Sequence, residues 1–422
     1  MALNFIWLAF FVIAFVVALA KTLFWGDLTV FPAMTQALFD MAKVGTNLAL
    51  GYIGGMALWL GIMRIGEKAG AVAILARLVN PLFSRIFPDV PKGHPAQGSI
   101  VMNFSANLLG LDNAATPLGL KAMKELQELN PLKDTASNSQ IMFLVLNTSG
   151  LTIIPVSVMI LRAAADAANP ADVFMPILIA TYCSSLVGLL LTSLIQRINL
   201  LQWPILLWLG GMTSCITGMV FYFTSLSEKA VESQSALMAA LFIFVIIVAF
   251  LILGAVRKIN VYEEFVEGAK EGFGVAVKII PFLVAMLVAI GVFRASGSFD
   301  AITKSVSTVV RTVGVDDRFV EALPTAIMKP LSGSGARGLA AEAMETHGPD
   351  SFVGMLACTF QGSTETTFYV LAVYFGSVGI RKTRYALVAG LSADFAGVIA
   401  AILVAYAFFC LLYTSPSPRD RG

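Results

Sequence analysis

Charge is scarce in this chain. Only 13% of its 422 residues are Asp, Glu, Lys or Arg, against roughly a quarter in globular proteins. With 58% hydrophobic residues and a mean hydropathy of +0.83, the apolar surface exceeds what one soluble core can hide. Histidine is scarcer still: His94 and His347 are the only two, in different predicted loops, so no metal-ligand cluster of recognisable spacing forms. Cysteine is thinly spread, with Cys183, Cys215 and Cys358 standing singly in apolar runs, as suits reduced thiols acting as small hydrophobes. Neither a P-loop nor H-E-x-x-H occurs, and nothing encourages a Ser-His-Asp reading. No enzymatic activity, no resident cofactor and no metal are expected. The net charge of +2 is too small for a nucleic-acid partner.

Long apolar runs fill the space that charge leaves. Several exceed the about 20 residues needed to cross a bilayer, so the expected class is an all-α polytopic integral membrane protein of the bacterial cytoplasmic membrane, with the lipid bilayer as its surroundings. Hydropathy predicts spans near 3–24, 48–64, 139–163, 173–196, 202–224, 234–256, 274–293, 352–378 and 383–409. The first lacks a basic flank and a cleavage site, and reads as a retained span rather than a signal peptide. Segments 30–47, 68–87, 260–273 and 298–313 are amphipathic and are expected along the interface. The tail "CLLYTSPSPRD", Cys410–Asp420, matches one reading frame of a transposase sequencing adapter, so 410–422 is expected to be an artefact, the alternative being a genuine Ser/Pro-rich tail.

An internal repeat emerges when the halves are aligned. "FDMAKVGTNLA" (39–49) parallels "FVEGAKEGFGVA" (265–276), and "GIMRIGEKAGAVAIL" (61–75) parallels "GVFRASGSFDAIT" (291–303). "NLLGLDNAATPLGLKAM" (107–123) parallels "MKPLSGSGARGLAAEAM" (328–344), and "LNTSGLTIIP" (146–155) parallels "FQGSTETTFY" (360–369). If the polar segments 98–123 and 322–345 are re-entrant hairpins, each repeat has about four spans and 202–224 links them. An odd count of five then inverts the second repeat. Arg64 to Lys92, Arg197, Arg257–Lys258 and Arg381–Arg384 all fall on one face in this arrangement, the cytoplasmic one. The loop 294–320 fits poorly, being placed outside despite Arg294, Lys304, Arg311 and Arg318.

Interrupted helices at matched positions of inverted repeats point to a transporter's binding site. A broken helix exposes backbone groups that hydrocarbon cannot satisfy, so it survives only against protein, water or solute. The breakers are Gly110, Pro117 and Gly119 in the first hairpin and Pro330, Gly333, Gly335 and Gly338 in the second. Around them, Asn103, Asn107, Asp112, Asn113 and Thr116 are candidate solute contacts, and Asp112 beside Asn113 supplies an acceptor-rich tip suited to a cation or to the donors of a solute. Lys329, Ser332, Ser334 and Arg337 give the second tip opposite polarity. Asn147, Thr148 and Ser149 interrupt one span; Gln361, Ser363, Thr364, Glu365 and Thr366 interrupt its counterpart. Each of these has a plainer reading. Asn147, Thr148, Ser149 and Ser363 suit interhelical packing as well as solute contact. Glu365 suits an ion pair with Arg337 or Lys329, and Asp394 a hydrogen bond to a neighbouring span, although carboxylates at membrane depth are functional candidates.

These same stretches, together with "QGSTETTFYVLAVYFGSVGIRK", resemble the spore maturation proteins A (1–200) and B (231–409), fused through a linking span at 201–230. Each half resembles the Gate, or nucleoside-recognition, domain that also occurs in concentrative nucleoside transporters and ferrous iron transporter B. The resemblance implies a small polar solute such as a nucleoside, moved by alternating access as inverted repeats allow; Na⁺ or H⁺ coupling is expected at one of Glu365, Asp112 or Asp394, among which the sequence does not choose. It puts Gln361, Thr364 and Glu365 at the solute, by similarity to a Gln-Thr-Glu run, although Gly362 and Ser363 depart from that spacing. The iron transporter's cysteine and GTP-binding domain are absent from this sequence. A non-transporting scaffold in spore or envelope maturation is the competing reading, and a homo-oligomer is compatible with a bundle this small.

Overall fold

The computed structural model describes residues 2–226 and 228–409; the tail 410–422 lies outside, as do a few side chains, among them those of residues 112–114. The described residues form helices and no strand, apart from an isolated bridge between Thr135 and Lys382. The first half runs α1 (Ala2–Trp25), α2 (Val30–Lys68), α3 (Ala71–Ile86), α4 (Pro95–Leu108), α5 (Asp112–Leu129), α6 (Asn138–Ser149), α7 (Val156–Ala164) and α8 (Phe174–Gln196). After α9 (Trp203–Thr224) the same order returns: α10 (Glu228–Val256), α11 (Val261–Ala295), α12 (Ser298–Thr312), α13 (Leu323–Met328), α14 (Gly333–His347), α15 (Phe352–Gly362), α16 (Thr367–Ser377) and α17 (Ala386–Phe409).

Seven of these helices, α1, α2, α8, α9, α10, α11 and α17, are long and apolar enough to cross a membrane. The chain is an all-α polytopic membrane protein. The predicted spans 139–163 and 352–378 are each two short helices separated by an unwound stretch, at the polar residues that mark them in sequence. Segments 30–47 and 260–273 do not form separate interfacial helices. They continue into α2 and α11, of 39 and 35 residues; the glycines at the junction in α11 do not end the helix, and Gly268 and Gly272 instead let it pack against α2. At 1.5 Å per residue α2 is about 58 Å long, well beyond a hydrocarbon core of about 30 Å. The other two amphipathic segments are distinct helices. Each starts at a glycine with positive φ, Gly70 (83°) before α3 and Gly297 (80°) before α12, a turn that β-carbon-bearing residues resist.

Matched helices α2 and α11 run antiparallel. Met41 approaches Gly291, and Met56 approaches Gly272, where a β-carbon would sit 2.5 Å from the Met56 carbonyl oxygen. Further along, Leu60 meets Gly268, and Arg64 Nε bonds Glu264 Oε2 at 2.8 Å. As one partner's number rises the other's falls, as expected for copies inserted in opposite orientations.

The helices gather into two compact units that draw on both repeats. The first comprises Met1–Trp59, Ser157–Pro170 and Ala269–Gln361; the second, Leu60–Val156, Ala171–Gly268 and Gly362–Gly422. Each broken helix is divided at its break. Thus α6 belongs to the second unit and α7 to the first, while α15 belongs to the first and α16 to the second.

Matching clamps hold the ends of these half-helices. In the second unit, Arg381 and Lys382 donate backbone N–H groups to the Asp134 carbonyl (2.9 Å each), and Lys382 Nζ lies 3.1 Å from its carboxylate. In the first, the fully buried Arg162 donates to the Pro349 carbonyl (2.6 Å) and to Asp350 Oδ1 (2.8 Å). The start of α6 therefore sits by the end of α16, and the start of α15 by the end of α7. At the same end of the second unit Arg85 donates to Gln202 (3.3 Å), beside the Arg197 turn, and Gln196 to Asn138 (2.8 Å). Three of the four basic sites thus share one end, and Arg64 with Glu264 joins the α2 terminus to the Arg257–Lys258 turn. In the ill-fitting 294–320 loop, Arg294, Arg311 and Arg318 are each paired with carboxylates.

Candidate functional site

The first hairpin is built in the second unit. His94 caps α4, its Nδ1 accepting from Ala96 N at 3.2 Å, with Pro95 preset for the first turn. After 14 residues, about 21 Å, α4 ends well short of a crossing. The chain turns at Leu109–Leu111 through Gly110 (φ 72°), where a β-carbon would lie 2.9 Å from the Ile154 carbonyl oxygen. Then α5 returns from Asp112, whose side chain, like that of Asn113, lies outside the described residues.

Three irregular segments meet here. The turn is fastened to the break between α6 and α7 by Ile153 N–H to Leu108 O, at 2.9 Å. That break is joined to the one between α15 and α16 by Glu365 N–H to Thr148 O, at 2.8 Å. Each unwound stretch thereby finds partners for backbone groups that lipid would leave unsatisfied. Gly150, with φ 57°, lets the breaks approach: a β-carbon there would lie 3.0 Å from Glu365 Cγ.

Beside this junction lies a cavity of about 220 Å³, lined by Asn107, Ala115, Thr116, Asn147, Glu365, Tyr369, Val370, Val373 and Tyr374. Asn107 Nδ2 donates to Asn147 Oδ1 (2.8 Å), which also accepts from Tyr374 Oη (3.3 Å), while Asn147 Nδ2 donates to Phe143 O (2.8 Å). Glu365 is exposed, and its expected partners Lys329 and Arg337 belong to the other unit. Deeper in the hairpin, Asn103 donates to Ala115 O (2.8 Å), but its buried Oδ1 has no hydrogen-bond partner among the described residues.

The predicted residues divide accordingly. Asn107, Thr116, Asn147 and Glu365 line the cavity. Thr148 and Ser149 are fully buried and return their hydroxyls to Val145 O (3.0 Å) and Leu146 O (3.2 Å), so they serve helix packing. Ser363, Thr364 and Thr366 are buried, and Thr364 packs at Gly397. Asp394 accepts from Thr367 Oγ1 at 2.6 Å, the bond to a neighbouring helix that its burial requires. Tyr369 and Tyr374 are cavity residues that sequence patterning alone does not single out. A signal for this wall is nonetheless present: Tyr369 and Val373, four apart on α16, share one helix face.

The second hairpin belongs to the first unit. Its turn, Lys329 to Ser332, leads into α14, where Ser332 Oγ accepts from Gly335 N (3.0 Å) and contacts the Ser334 hydroxyl (3.2 Å). Lys329 is buried, and Arg337 lies 5.9 Å from the centre of the Tyr52 ring. Gln361 Nε2 reaches Gly333 O at 3.4 Å, and its buried Oε1 has no hydrogen-bond partner among the described residues. Each hairpin tip therefore meets an amide at its own repeat's break, and each neighbourhood retains one such buried amide oxygen. Below the second tip, Arg294 forms a two-bond pair with the buried Glu342 (2.5 and 3.2 Å), and Thr346 also donates to that carboxylate (2.9 Å).

Outside the spans, the hydroxyl of Thr135 and then Lys382 hold Asp134 below the usual aspartate value. Both donate to the charged carboxylate, so the second unit's clamp stays ionised at neutral pH.

Residues 49–164 and 276–381 match the family model Gate, described as nucleoside recognition. These two regions contain both hairpins and both broken helices and make up more than half of the chain. The chain belongs to the Gate family. Two relatives of this Gate protein come from Bacillus subtilis (strain 168). Spore maturation protein B is 47% identical over 165 residues, 39% of this chain and 91% of that protein. Spore maturation protein A is 39% identical over 183 residues, 43% of this chain and 90% of that protein. No solved structure matches this Gate protein.

Proposed function

We propose that this protein binds a small polar solute in the cavity beside the first hairpin and carries it across a bacterial cytoplasmic membrane by alternating access. The observation that carries the reading is the meeting of the hairpin turn and both helix breaks beside a cavity lined by Asn107, Asn147, Thr116 and Glu365. A turn and two breaks gathered at one place, beside a polar-lined cavity, is the arrangement by which transporters of inverted repeats form a solute site. At about 220 Å³ the cavity is smaller than common ligand pockets of about 300–1,000 Å³, which suits a compact solute. Its tyrosine rings offer flat apolar faces and its amides and carboxylate offer directed hydrogen bonds, a combination suited to a nucleoside. Proton or Na⁺ coupling would fall to Glu365, an exposed carboxylate within a membrane helix break.

The test is uptake of a nucleoside and metabolite panel into proteoliposomes. Uptake should saturate, and Glu365→Gln should lower solute affinity at least about tenfold, as for a lost hydrogen bond to a charged group. Absence of uptake and binding across the panel would sink the reading. The relatives' names favour one alternative, a membrane scaffold in spore maturation. That role predicts co-purifying proteins and indifference to Glu365→Gln.

A further inference from the structure

A second, wider cavity of about 390 Å³ lies away from the hairpin tip, in the same unit, where the connection from α5 to α6 meets the turn before α17. Its walls combine three chemistries. Arg384 spends one nitrogen on the Ala136 carbonyl, at 3.0 Å, leaving further guanidinium N–H donors for other use. Asp89 is exposed and lines the cavity without an ion-pair partner among the described residues, so the two charges flank the space without neutralising each other. Leu126, Leu129 and Leu132 also line it, the first buried and the last 61% exposed, so apolar side chains share a pocket with two charges.

We infer that this cavity is a headgroup site for a zwitterionic phospholipid bearing a primary ammonium. The phosphate faces Arg384, the ammonium faces Asp89, and the chains leave along the leucines. A headgroup with negative charge alone would leave Asp89 facing an anion. A quaternary ammonium has no N–H to give the carboxylate, so the pocket prefers the primary amine. The shared chemistry, a phosphate a short linker away from an ammonium, also exists in soluble glycerophosphoethanolamine. The leucines favour the lipid. This site is independent of the solute cavity.

The experiment is native mass spectrometry of the delipidated full chain, titrated separately with phosphatidylethanolamine, phosphatidylcholine and phosphatidylglycerol of matched chains. Phosphatidylethanolamine should be retained most strongly. Arg384→Gln should weaken its retention about tenfold, the loss of one charge-assisted bond. Asp89→Asn, at an exposed surface group, should leave phosphate binding intact and shift preference toward phosphatidylglycerol. Thermal unfolding of both variants checks that the fold survives. Equal retention of the three lipids, or an unchanged lipid ranking in Asp89→Asn, overturns the proposal. Soluble glycerophosphoethanolamine competing as well as the lipid overturns the lipid assignment.

Discussion

Gly150 shows how much one residue can control here. Its φ of 57° is a left-handed conformation that costs other residues about 1–2 kcal/mol, and Glu365 Cγ stands where a β-carbon would press. Gly150→Ala should therefore lower thermal stability by about that amount or more, and reduce solute binding by displacing Glu365. A variant with unchanged melting temperature and affinity would show that the breaks do not need this contact. Asp134 invites a pH test. Its folded-state value is depressed, so its clamp contributes stability above the ordinary value of 3.8 and loses it only as pH falls through the lower folded value. Hydrogen exchange at Arg381 and Lys382, whose amides donate to the Asp134 backbone carbonyl, should keep its protection from neutral pH down to that ordinary value, because the ionised side chain still holds Lys382 Nζ beside them. Loss at mildly acidic pH would contradict the depressed carboxylate.

Among elements, the helix breaks were legible in sequence because a cluster of polar residues and glycine inside an apolar run is costly in lipid unless the helix is interrupted there. The hairpin turns were legible too, at Gly110 and near Gly333. What escaped was partnership. Arg294, at the end of α11, and Glu342, in a hairpin arm, lie far apart in sequence, so no local pattern announces their pair. Tyr369 and Tyr374 were hidden because an aromatic in an apolar helix usually faces lipid or core. The long α2 and α11 were misjudged at their starts, where amphipathic composition suits an interfacial helix and a projecting one equally well. Breaking a buried pair costs about 3–5 kcal/mol, but Asp300, 3.7 Å from Arg294, remains as a second carboxylate. Arg294 keeps 21% exposure, so Glu342→Gln should fall at the lower end, read as a drop in thermal unfolding temperature. Replacing both residues with Leu and Met should recover most of the loss.

At the scale of the molecule, inversion of the repeats is a claim about membrane sides that chemistry can check. Asp134→Cys with Lys382→Cys, and Asp350→Cys with Ala168→Cys, the Ala168 amide donating to Asp350 Oδ2 at 2.9 Å, form one pair at each clamp. In a background without other cysteines, a membrane-impermeant thiol reagent should reach the two pairs from opposite sides. Labelling of both from one side would refute the inverted arrangement. The division of each broken helix between the compact units has a further consequence for how the chain comes to be folded. Sever it between α9 and α10, and the leading fragment holds α1, α2 and α7 of the first unit but lacks α11 to α15. The trailing fragment holds α10, α16 and α17 of the second but lacks α3 to α6, α8 and α9. Neither piece can finish a unit alone. Expressed separately the fragments should be degraded, and expressed together they should recover each other as a stable complex, each serving as the folding template the other lacks.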